Sequence, residues 1–226
     1  MLQPVFFDCN HNNDIDFDAV ATWAWAGFFK VNQGLEFTDK SFTSRRAEME
    51  KRGLLVGGYD FATADPVAEN VERFLDLCRP GPTTACCLDF EDNEHSEMTG
   101  DQAWEWLDRV RQKIGRSAAI YGGNRIREHI DGQSAKWIDM ALTTPLWLCE
   151  YLTGSFADIA SLRPHLKIPK PWVDFTYLQY AADGAGPQPR KMPGVENGSD
   201  LNVFDGDRVS FIGGWPGVPM QHPLTA

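Results

Sequence analysis

Residues 83–94 read Thr-Thr-Ala-Cys-Cys-Leu-Asp-Phe-Glu-Asp-Asn-Glu, an apolar, β-prone run that ends abruptly in carboxylates. In a strand over 84–90, side chains two apart share a face. Asp89 and Glu91 then point the same way, with Cα atoms roughly 6.5–7 Å apart. Two acids held side by side at the end of a buried strand are costly to ionise together. Their pKa values separate, which lets one serve as acid and the other as base. Taken alone, an Asp-x-Glu is better explained as a strand running into a solvated acidic turn. The rest of the chain decides between the two readings.

The surrounding elements alternate. Pro4 to Asp8 reads as a strand ending at an acid, 16–25 as a short helix, and 27–31 as a second strand. A helix over 41–52 is closed by Gly53 in the position that favours a left-handed residue. The third strand, 54–59, contains Gly57-Gly58, which suggests close backbone approach. Asp65-Pro66 opens a helix with Asp as N-cap and Pro at the first helical position. Val67, Val71, Phe74, Leu75 and Cys78 then recur at helical spacing until Pro80-Gly81-Pro82. After the Asp-x-Glu strand come a long helix, 99–114, and a fifth strand, 117–121. Regularity weakens from there, with strand-like 146–149, 175–180 and 199–204 around an irregular Gly/Pro-rich loop at 183–199. About five βα units followed by three further strands predict an α/β fold, an irregular TIM-like barrel with a mostly parallel sheet. Residues 1–212 read as one catalytic barrel domain, and 213–226 as a Gly/Pro-rich tail packing on its outside.

In such a barrel chemistry sits at the carboxyl ends of the strands. Those ends carry Asp8, Lys30 to Gln33, Tyr59 to Phe61, Asp89 with Glu91, Tyr121, Trp147 to Tyr151, Gln179 with Tyr180, and Asp200 with Asn202. Acids for a glycosidic bond and flat rings for pyranose faces suit a sugar polymer. Each residue singly reads as a cap or a solvated group, and most of the aromatics as core packing; the recurrence at strand ends favours a site. The formal charge of −11 excludes a surface that neutralises nucleic-acid phosphates or adheres to anionic membranes or wall polymers by charge alone. No window is apolar enough to span a membrane. Five cysteines without a Cys-x-x-Cys pair predict reduced, packed thiols and offer no metal-ligand spacing.

Here the residues carry a resemblance, over nearly the whole length, to the glycoside hydrolase family 25 lysozymes, the Chalaropsis-type muramidases. Phe7-Asp8-Cys9-Asn10-His11 through Ile15-Asp16-Phe17 is similar to the family's Asp-Val-Ser-His-(aromatic)-Gln-Gly-x-Ile-Asp-Trp. Lys30-Val31-Asn32-Gln33-Gly34 resembles Lys-Ala-Thr-Glu-Gly, and Gly53 to Phe61 resembles Gly-Leu-x-x-Gly-x-Tyr-His-Phe. Leu88-Asp89-Phe90-Glu91 falls on the catalytic Asp-x-Glu strand. Trp147 to Tyr151, Leu178-Gln179-Tyr180 and Asp200 to Phe204 follow the later landmarks. Each motif is weak alone; seven in order are specific for the fold.

The resemblance implies hydrolysis of the β-1,4 bond between N-acetylmuramic acid and N-acetylglucosamine in peptidoglycan. It makes Glu91 the general acid/base. Asp89 becomes the neighbouring carboxylate, either stabilising charge at the anomeric carbon or orienting the substrate's 2-acetamido group as internal nucleophile. Asp8 and Asp200 become flanking acids, and Tyr59, Phe61, Tyr121, Trp147, Tyr151 and Gln179 shape the sugar subsites. The close acid spacing leans towards retention. No cofactor, metal, nucleic acid or separate wall-binding domain is expected, and a monomer is. Without a visible signal peptide, and with unpaired thiols, the expectation is a phage or prophage endolysin made in the cytoplasm that acts on the wall after release. The departures are Gln33 for Glu and Asp60 for His, expected to alter the charge at the mouth, and Asn12 and Leu178 for aromatics, expected to remove stacking surface. Two other classes compete. A silent carbohydrate-binding barrel would show a broken Asp-x-Glu, and a metal-dependent phosphodiesterase would be sensitive to EDTA.

Overall fold

Strands buried on both faces need apolar residues at both parities, and this chain supplies them in eight short runs. These are β1 (Phe6–Cys9), β2 (Ala26–Gln33), β3 (Leu55–Phe61), β4 (Thr84–Asp89), β5 (Ala119–Gly122), β6 (Leu146–Cys149), β7 (Tyr177–Ala181) and β8 (Asp200–Val203). In the computed structural model, which describes residues 2–94, 96–182, 184–198 and 200–215, they close into a TIM-like barrel. β1 to β7 pair in parallel sequence, while β8 is antiparallel to both β7 and β1 and completes the ring. Asp200, at the start of a reversed strand, therefore lies in register with Asp8 near the carboxyl end of β1.

Alternation sorts the side chains into two apolar layers. Phe7, Phe29, Val56, Leu88, Ile120, Leu148 and Leu178 face outward onto the helices. Phe6, Phe28, Tyr59, Cys87, Tyr121, Trp147 and Tyr177 fill the barrel. The glycine pair serves both layers. A Cβ on Gly57 would lie 2.2 Å from the Phe28 ring inside, and one on Gly58 2.7 Å from Val31 Cγ2 outside. The register of β2 on β3 shifts between Lys30 and Asn32. Lys30 pairs with Tyr59 and Asn32 with Asp60, so Val31 is an extra residue, as in a β-bulge.

The helices Phe42–Lys51, Val67–Cys78 and Gly100–Ile114 cover the first half of the barrel, and the first is closed by Gly53 at φ +69°. Three expectations change. Only Phe17–Val20 of the expected helix over 16–25 is helical. Asp65 does not cap its helix; its carboxylate instead accepts from the Leu35 N–H at 2.8 Å and the Thr63 hydroxyl at 2.8 Å. The expected tail begins inside a further helix, Arg208–Gly214. Its Phe211, with Trp215 just beyond, plugs the barrel end opposite the strand carboxyl termini, and Trp215 Nε1 donates to the Thr83 carbonyl at 2.9 Å. Residues 216–226 lie outside the described residues.

Candidate active site

With one end of the barrel plugged by rings, polar inward residues gather at the other. The inner face of β1 ends in Asp8, and that of β4 ends in Asp89. Glu91 lies two residues past Asp89, just beyond the strand. Asp8, Tyr59, Cys87, Asp89, Tyr121 and Trp147 surround an axial pocket of about 10 Å³, room for roughly one water molecule. A pyranose ring is too large to enter it.

Asp8 is held by donors whose orientation is set elsewhere. The Trp147 indole N–H donates to Asn202 Oδ1 at 2.7 Å; indole has no acceptor, so the Asn202 amide must turn its NH₂ to Asp8 Oδ1, also at 2.7 Å. Gln179 accepts from the Tyr121 hydroxyl at 2.7 Å and from Tyr151, and its own NH₂ donates to both Asp8 oxygens at 3.0 and 3.2 Å. Burial, then the Asp200 charge, push the Asp8 carboxyl well above the usual range, and these amide donors pull against that. Both Asp8 oxygens accept from these amides, which favours the charged form against burial.

Asp89 and Glu91 have unlike surroundings. Asp89 is 7% exposed and its Oδ1 is buried without a hydrogen-bond partner. Burial and then the Glu91 charge raise its pKa, while Lys30 lowers it. Glu91 is half-buried at the rim. Burial raises its pKa as well, opposed by the neighbouring Tyr121 hydroxyl and by the Lys30 cation. An acid whose pKa is raised and which still reaches the mouth is placed to deliver a proton. Lys30 brings a cation to this pair. Its ammonium donates to Gln33 Oε1 at 3.0 Å and lies 4.5 Å from the Phe61 ring centroid.

The four acids expected from the sequence do converge, and so do the rings, in different capacities. Tyr59, Tyr121 and Trp147 are buried in the floor, and Gln179 is 1% exposed, holding Asp8. Phe61 lies under Lys30, and Tyr151 is 38% exposed. Asp60 does not reach the mouth, although its charge bears on Asp89 and Lys30 there. As the neighbour of inward Tyr59 it faces outward, fully buried, and accepts from the Trp106 indole N–H at 3.0 Å. Leu178, between inward Tyr177 and Gln179, packs in the outer layer, so no stacking surface is lost there. Lys30 and Asn202 have roles the sequence reading did not assign, although strand alternation places Asn202 beside Asp200 on the inner face.

Two grooves flank the floor. One of about 350 Å³ runs between the loops after β2, β3 and β4, past Gln33, Glu36, Phe37 and Asp65. The other, about 460 Å³, opens beyond Glu91 along the loops after β5 and β6. Among the described residues, no three His, Cys, Asp or Glu side chains are arranged to hold a metal ion.

The sequence profile of the family described as Glycosyl hydrolases family 25 matches residues 8–187. No curated protein sequence matches the chain. Among solved structures, the bacterial lysozyme from Streptomyces coelicolor superposes with a TM-score of 0.77 at 19% identity, covering 93% of this chain and 96% of that one. The family GH25 lysozyme from Aspergillus fumigatus gives 0.70 at 20% identity, covering 92% and 96%. The catalytic domain of endolysin ply40 from bacteriophage P40 of Listeria monocytogenes gives 0.66 at 14% identity, covering 94% and 98%.

Proposed function

The chain belongs to glycosyl hydrolase family 25 and is a glycoside hydrolase, and on that premise we propose that it cleaves the β-1,4 bond between N-acetylmuramic acid and N-acetylglucosamine in peptidoglycan. The observation that carries this reading is the division of one strand end between two unlike acids, Asp89 sealed in the floor and Glu91 reaching the rim.

In this mechanism Glu91 protonates the glycosidic oxygen as the bond to the anomeric carbon breaks. The Asp89 carboxylate receives the N–H of the 2-acetamido group, whose carbonyl oxygen attacks the anomeric carbon. The resulting oxazolinium ion is opened by a water molecule that gives its proton back to Glu91, and configuration is retained. Asp8, held by Gln179 and Asn202, contributes fixed negative charge beneath the ring. The five unpaired thiols support synthesis in a reducing compartment, and with it an endolysin that meets the wall after release.

The test is digestion of purified peptidoglycan followed by borohydride reduction of the new ends. Conversion of N-acetylmuramic acid to its alcohol is expected. Reduction of N-acetylglucosamine instead would contradict the reading.

A further inference from the structure

Building on the peptidoglycan reading above, we infer that the groove beyond Glu91 receives the carboxylate-bearing peptide branches that this polymer carries on alternate sugars. The other openings do not suit them. The axial pocket is too small, and the groove on the β2–β3 side is walled by Glu36 and Asp65 with no basic side chain in its lining. The groove beyond Glu91 is polar, starts at the proton donor, and is lined by the basic Arg125, Arg127 and Lys167 together with Asn124 and the acids Asp92 and Glu150.

Its charges are not equally free. Arg125 is bound to Asp92 and Glu97, each at 3.3 Å, and Arg127 to Glu150 at 2.9 Å. Lys167 docks its backbone N–H on the same Glu150 carboxylate at 3.2 Å. Its ammonium is in no ion pair among the described residues, and the residue is exposed. In a chain of net charge −11, this leaves an uncompensated cation in the groove that starts at the reacting acid. A carboxylate is the group it would attract. Asn124, also exposed, adds amide groups matched to a peptide backbone.

Reducing-end release is measured on peptide-bearing glycan strands and on the same strands stripped of peptide by an amidase, with wild type, Lys167→Arg and Lys167→Glu. Lys167 is exposed, so the substitutions leave folding intact. The wild-type preference for peptide-bearing strands is expected to fall roughly fivefold in Lys167→Glu, the upper range for one exposed ion pair, and to survive in Lys167→Arg. Equal losses on both polymers, or no loss on either, would overturn the inference and leave the glycosidase reading standing. A wild type that releases reducing ends from neither polymer would overturn that reading, and the inference with it.

Discussion

Lys30 opposes the effect of burial on the acids around it. Its cation lowers the pKa of both Asp89 and Glu91, each of which burial raises, and burial in turn lowers its own. Turnover in the proposed mechanism needs Asp89 ionised and Glu91 protonated, so the two acids bound a bell-shaped profile. Replacing Lys30 with Met removes the positive charge that lowers both pKa values. Both limbs of kcat/KM against pH are therefore expected to move to higher pH, with Lys30→Arg restoring the wild-type profile. Limbs that stay in place would mean that Lys30 only packs against Phe61. None of this was legible from residue types, because a lysine at a strand end is usually a solvated charge. Its meaning came from Gln33 and Phe61, which close over it.

At the level of elements, parity along the strands decides which residues do chemistry. The rule that put Asp89 and Glu91 on one face, applied to Tyr59 and Asp60, sends Asp60 outward; the resemblance to a family motif obscured that signal. The bulge at Val31 and the reversal of β8 have no comparable mark in the sequence, since both depend on pairing partners far along the chain. Asp60 instead joins β3 to the helix Gly100–Ile114 through Trp106. Burial raises its pKa well above the usual carboxylate range. A group with a raised folded-state pKa binds its proton more tightly when folded. Its stabilisation is complete below the unfolded value of about 4 and is lost as pH climbs to the folded value, at about 1.4 kcal/mol per pH unit. Asp60→Asn keeps an acceptor for Trp106 and removes the titration. The melting temperature of the variant is therefore expected to gain on wild type as pH rises from about 5 to about 8. A constant difference across that range would contradict this account.

In the whole molecule, one end of the barrel is packed with rings and the other with acids, and two buried carboxyls of the same strand pair face opposite ways. The barrel class, the eight strands and the four converging acids were readable from apolar runs and their polar ends. The division of labour among the acids was not, because it depends on which of them reaches the mouth. The central claim is that Glu91, and not merely any buried acid of raised pKa, delivers the proton. The direct measurement is the initial rate of reducing-end release from purified peptidoglycan by Glu91→Gln and Asp60→Asn, side by side. Each variant exchanges one carboxyl for an amide. Glu91→Gln is expected to fall by about 10²–10⁴, the range for loss of a general acid, while Asp60→Asn stays within about tenfold of wild type. A Glu91→Gln variant that keeps the rate of Asp60→Asn would contradict the account.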